Sequence, residues 1–234
     1  FKIIALDDEC IMPILFKNYF RLRIYNKNFD LLEYFFTTGI LDHQEINKNI
    51  PQYNKHKILK VGVPRFNIFD KVYYKDFIKP NKKKKKTIIF ISRFSMANPT
   101  GKGFGQLQVS WAQRHNLEKN LDLKEDIDSW LNISFKSFKL FSDLLINSAQ
   151  IFPDINFIIR PHPGEDPTYW EKIILGKQNI KISINNDLIY DIYSSDLVIQ
   201  NECTTGIESA LLGKKVINYV PIKNLFENEV LDRK

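Results

Sequence analysis

NFIIRPHPGED, residues 156–166, runs a short apolar stretch into a corner holding two prolines, a histidine, a glycine and two acids. The apolar part reads as a buried strand. Pro161 and Pro163 end it abruptly, because proline fixes φ and removes a backbone donor at each position. His162 is thereby held in one extended pose at a strand terminus. The next residues, 167–175, carry a helical pattern, so the stretch is one strand–corner–helix unit.

The same unit recurs on either side. Strands are expected at 87–92 (TIIFIS), 156–160 (NFIIR), 180–184 (IKISI), 196–200 (DLVIQ) and 215–220 (KVINYV). Helices are expected near 126–150, 167–175, 187–194 and 204–213, the last stopped by Gly213. Earlier in the chain, strands at 2–6 (KIIAL), 33–37 (EYFFT) and 57–62 (KILKVG) alternate with helices near 12–20 and 42–49. Short apolar runs alternating with helices specify an α/β fold with parallel sheets. The expected organisation is two Rossmann-like domains: a partial one over 1–78, a basic linker over 79–86, and a second over 87–234. The first has about three strands, fewer than a complete domain of this kind. A start at Phe1, with KIIAL following at once, suggests a fragment of a longer chain.

Composition narrows the class. The chain has 234 residues, 44% of them hydrophobic and 13% aromatic, which suits a folded core and not a disordered segment. The net charge is +7 and the pI about 9.2. That excess reflects either an anionic partner or a composition rich in Lys, Asn, Ile and Phe, and part of it sits in the single run Lys82–Lys86. The run reads as an exposed linker, and no interleaved basic and aromatic motif points to nucleic acid. Cys10 and Cys203 are far apart and outside any CxxC spacing, so neither a disulfide framework nor a zinc site is indicated, and a reducing cytoplasm fits. No apolar stretch approaches the roughly 20 residues needed to span a bilayer. A soluble chain is expected, at most peripheral to a membrane.

In an open α/β sheet the ligand sits beyond the carboxyl ends of the strands, so chemistry is sought in the residues after each strand. NECTTGIESA (201–210) opens a helix at Thr204, Thr205 and Gly206, aiming backbone N–H groups and two hydroxyls at one point suited to a phosphate. Glu208, one turn in, either accepts from ribose hydroxyls or closes a capping box with Thr205. At RPHPGED, Arg160 and His162 offer a guanidinium fork and an imidazole N–H to an anion. These two tips are expected to be neighbours over one anion cradle. ALDDEC (5–10) places acids at a strand end, either as a solvated turn or as a general base. VGVPRF (61–66) projects Arg65 from a turn shaped by Gly62 and Pro64, toward an anion or as plain structure. ISRFSMAN (91–98) adds Ser92, Arg93 and Asn98 as cleft candidates. The following GKGFG lacks the GK[ST] ending of a P-loop. No acid or His/Cys spacing indicates a metal, and no cofactor is expected.

Taken in order, LDDEC, TTGILDHQE, VGVPRF, ISRFSMAN, RPHPGE and TTGIESALLGKKVINY resemble bacterial surface carbohydrate biosynthesis proteins, glycosyltransferases of the GT-B fold, over residues 3 to 221. They are more distantly similar to bacterial sialyltransferases, which share an acid-acid-glycine, a His-Pro and a paired Ser/Thr motif. The resemblance implies two Rossmann-like domains facing a cleft, the first binding acceptor and the second a nucleotide-sugar donor. It further implies a transferase that moves a sialic-acid-like or Kdo-like sugar from a CMP-linked donor to a saccharide or glycolipid acceptor. Such an enzyme works in the cytoplasm or at the inner membrane face. By the same resemblance Asp8 and Glu9 stand at the acid pair, Asp8 as base, with His162 completing the catalytic set. His162 and Pro163 stand at the donor-phosphate motif, and Thr204 and Thr205 at the paired hydroxyls, beside Arg160, Gly206 and Glu208. Cys10 replaces the family glycine, and Val63 stands where relatives tend to carry Asn. Two other readings are a CDP-polyol phosphotransferase of the teichoic acid type and a GT-B scaffold domain without activity.

Overall fold

The computed structural model describes residues 2–6, 26–69, 85–101, 121–183 and 187–222. The chain is α/β with two parallel sheets, one of three strands and one of five. Contacts divide the described residues into two compact units, one up to Ile68 and the other within Phe69–Asn224. The expected linker 79–86 lies outside the described residues except for Lys85 and Lys86, and so does the expected helix at 12–20.

In the first unit β1 (Ile4–Leu6), β2 (Tyr34–Thr37) and β3 (Ile58–Lys60) run parallel in the order β1-β2-β3. Helix α1 (Ile40–Asn49) crosses from β2 to β3. Alternation along each strand sorts the side chains between faces. Phe35 and Ile58, paired in register, pack with Phe29, Ile46 and Ile50 on the α1 face. Ile4, Leu6, Tyr34 and Leu59 point the other way and are exposed. Asp42 ties the start of α1 by accepting from Gly39 N and Thr38 N at 2.7 Å each.

The second unit begins with β4 (Thr87–Ile91), followed by α2 (Leu121–Ile151), β5 (Asn156–Arg160) and α3 (Pro167–Ile174). It continues through β6 (Ile180–Ile182), α4 (Leu188–Ser194), β7 (Leu197–Gln200), α5 (Thr204–Leu211) and β8 (Lys215–Asn218). The order across the sheet is β6-β5-β4-β7-β8, all parallel. The first strand is central and the order reverses beside it, the doubly wound arrangement of Rossmann-like domains. β4 is apolar almost without interruption because both its faces are covered. Asp196 locks the sheet at its amino edge: its carboxylate accepts from Thr87 N and its N–H donates to Thr87 O, each at 2.8 Å.

Phe138, Phe141, Leu145 and Ala149 recur at helical spacing along α2 and press on Phe90, Phe157 and Ile159 of the sheet and Trp170 of α3. The α4–α5 side is tied by Lys214, whose ammonium caps the end of α4 through the carbonyls of Tyr193 and Ser195. Gly213, at φ +72°, stops α5 as expected. Phe141 is fully buried against Phe90 and Phe94. Phe141→Ala is therefore expected to lower the unfolding free energy by about 3–5 kcal/mol, measured by urea denaturation.

Candidate functional site

The reversal of strand order puts the ligand crevice of the second unit at the carboxyl ends of β4 and β7. β5 lies on the opposite side of β4 from β7. The His162 and Thr204 corners are therefore not neighbours, as expected from sequence, but two strand spacings apart, about 9–10 Å. The residues after β4 stand between them.

The β5 corner is organised by a residue the sequence reading passed over as a site group. Glu165 is 2% exposed, and its carboxylate collects donors from three elements. The Ser92 hydroxyl lies 2.8 and 2.9 Å from its two oxygens, Phe94 N donates at 2.7 Å, and Trp170 Nε1 donates at 2.9 Å. His162 N adds a longer contact at 3.4 Å. Burial pushes the carboxyl above the usual range, and these donors pull it back. The signal was present in sequence as an acid two residues after His-Pro, but nothing there said that it turns inward. Beside it, Asp166 caps α3 by accepting from Thr168 N at 2.9 Å, with Pro167 opening the helix.

Within this frame Ser92 is not the cleft residue expected: it is 2% exposed, with its hydroxyl turned to Glu165. Asn98 is likewise structural, donating to Asp166 O at 2.8 Å and accepting from Asp166 N through its own carbonyl at 2.9 Å. His162 and Pro163 are exposed. Gly164 N donates to His162 Nδ1 at 3.0 Å, which places the ring proton on Nε2. Arg160 is drawn the other way. It makes an ion pair with the buried Asp191 of α4, which also accepts from Ser183. The expected guanidinium fork is thus engaged inside the fold.

At the β7 corner α5 begins as expected, but its N-cap is Cys203, and no side chain caps it. Thr205 lies inside the first turn, so the Thr205–Glu208 capping box does not form. Thr204 is half-buried; Thr205 and Glu208 are 8% and 6% exposed, which leaves Thr204 as the more accessible hydroxyl and disfavours a ribose at Glu208. The turn is dense with bonds. Gln200 Nε2 and Glu202 N both donate to Asn218 Oδ1, at 3.0 and 2.8 Å, and Asn201 Nδ2 donates to Tyr219 O at 2.8 Å. Gly206 packs on this network. A Cβ there would lie 2.7 Å from Gln200 Nε2.

Arg93 bridges the two strands of the switch point, donating to Asn201 Oδ1 at 3.4 Å and to Glu202 Oε2 at 3.1 Å. Burial lowers its pKa and Glu202 opposes the shift. Arg65, in the first unit, lies with its guanidinium 5.6 Å from the centre of the Phe66 ring. Asp8, Glu9 and Cys10 lie outside the described residues. Among the described residues no cluster of His, Cys, Asp or Glu forms a metal site, and no helix is long and apolar enough to cross a membrane. A hollow of about 370 Å³ lined by Lys2, Glu33, His56 and Lys57 sits at the amino ends of the first sheet, away from the edge where open α/β sheets take ligands.

No protein-family model matches the sequence, and no curated protein matches it. Among solved structures the chain is similar to the wall teichoic acid polymerase TagF, at 15% identity and a TM-score of 0.39 over 90% of this chain and 44% of that one. The chain thus spans less than half the length of that polymerase, and a likeness of this size transfers neither fold nor activity.

Two outcomes follow from the corners. With its folded pKa raised, Glu165 binds more protons folded than unfolded between the ordinary value of 4.5 and the raised one, so its contribution to stability falls as pH rises through that window. Wild-type stability relative to Glu165→Gln, from denaturation at a series of pH values, should decline with the same sign. Gly206→Ala should cost about 1–3 kcal/mol by forcing Gln200 off Asn218, measured in the same way.

Proposed function

We propose that the second unit binds the nucleotide part of an activated sugar and that the chain is a glycosyltransferase of the GT-B kind. The observation that carries this reading is the switch point itself: α5 opens without a side-chain cap beside the reversal of strand order. Backbone N–H groups there, with the partly exposed Thr204 hydroxyl, suit a phosphate ester. The Nε2–H of His162 supplies a further donor from across β4.

The donor favoured is CMP-linked, carrying a nonulosonic acid such as a sialic-acid-like or Kdo-like sugar, and the acceptor is a surface saccharide or glycolipid. In this reaction the acceptor hydroxyl bonds to the anomeric carbon and gives its proton to Asp8, or to Glu9 beside it. The bond from the anomeric carbon to the phosphate oxygen breaks, and CMP leaves with the electron pair. Donors aimed at that phosphate stabilise the charge that develops on it. Transfer of a polyol phosphate from a CDP-linked donor is separated by product analysis, since only that route leaves phosphorus in the product.

Calorimetric titration with CMP and UMP tests the reading. CMP is expected to bind, and Thr204→Ala or His162→Ala to weaken it by about ten- to a hundredfold through loss of one hydrogen bond to a charged group. Binding of neither nucleotide would count against a nucleotide-dependent transferase.

A further inference from the structure

The two strands at the switch point end in opposite charges. Arg93 stands two residues beyond the end of β4, and Glu202 two residues beyond the end of β7. They form an ion pair at 3.1 Å, with side chains 15% and 16% exposed. Glu202 is held in an unusual conformation, φ +44°, in the left-handed region that side-chain-bearing residues seldom enter. Its N–H is fastened to Asn218 Oδ1, and its neighbour Asn201 to Tyr219 O. The fold thus fixes a carboxylate at the tip of β7, beside the reversal of strand order where an open α/β sheet receives its ligand. A site built to hold as much negative charge as possible would not place an acid there, since like charges at such range repel strongly away from bulk water.

We propose that Glu202 is a specificity-determining residue: by neutralising Arg93 at the switch point it admits a ligand carrying one negative charge and disfavours one that brings a pyrophosphate. This rests on the reading that the site binds a nucleotide. Arg160, the other arginine at these tips, is engaged by Asp191 and does not restore the balance. The residue therefore separates phosphate esters by charge, independently of the base or the sugar they carry.

The test is calorimetric titration of the whole chain with the methyl ester of CMP, a singly charged phosphodiester, and with CDP. Wild type is expected to bind the ester at least about tenfold more tightly than CDP. Glu202→Gln should strengthen CDP and shrink that ratio by about tenfold, and the gain should vanish in the double variant R93M/E202Q, because the added phosphate is received by Arg93. Glu202→Asn removes the same charge with a residue that tolerates the left-handed region, and serves if the Gln variant does not fold. Tighter binding of CDP by wild type, or a ratio unchanged in the folded charge-removed variants, overturns the inference and leaves the nucleotide reading standing. Binding of neither ligand by any form overturns both.

Discussion

A buried carboxylate with donors on every side is the constraint on which the candidate site depends. Glu165 is almost wholly removed from water, where an unpaired charge would be prohibitive, and it persists because Ser92, Phe94, His162 and Trp170 all turn toward it. Those four residues come from the loop after β4, the corner after β5 and helix α3. One side chain therefore sets where two adjacent strand tips end. The stiffness of Pro161 and Pro163 acts locally; Glu165 carries it across to the central strand. Gly164 completes the corner because a Cβ there would lie 3.2 Å from that of Ser95.

The arginines at the carboxyl edge are engaged within the protein. Arg160 is paired with Asp191 and Arg93 with Glu202, each pair linking two elements that adjoin in the sheet or pack on it. Partly buried cations persist when acids face them, so neither strand tip carries an unpaired arginine charge, and the net charge of +7 comes from elsewhere in the chain. The residues left accessible at these corners are of another kind, the half-buried Thr204 at the start of α5 and the exposed His162, while the Cys203 and Gly206 N–H groups are taken by Gln200 Oε1 and Cys203 O. Neutral donors of this sort fix a phosphate by geometry more than by net charge.

Among the described residues the two sheets are covered differently. α1 and Phe29 cover one face of its sheet, while Ile4, Leu6, Tyr34 and Leu59 show their side chains on the other. Parallel sheets are ordinarily covered on both faces. In the second sheet α2 and α3 press on Phe90 and Phe157, and β4 is buried at every residue but Ile88, which is half-buried.

Much of this architecture follows from sequence alone. The eight described strands, helices α1–α5, the stop at Gly213 and the parallel α/β class are legible because apolar runs, prolines and glycines act on the chain within a few residues of themselves. Strand order is not legible in that way, and it separates the His162 and Thr204 corners by placing β4 between β5 and β7. Pairings across long loops were also beyond reach. Ser92 meets Glu165 and Arg93 meets Glu202 only because parallel crossovers bring their strand tips to one edge. Nothing within a few residues of an arginine tells whether a ligand or a distant acid will face it; that is decided by the register of the sheet and the burial that comes with it.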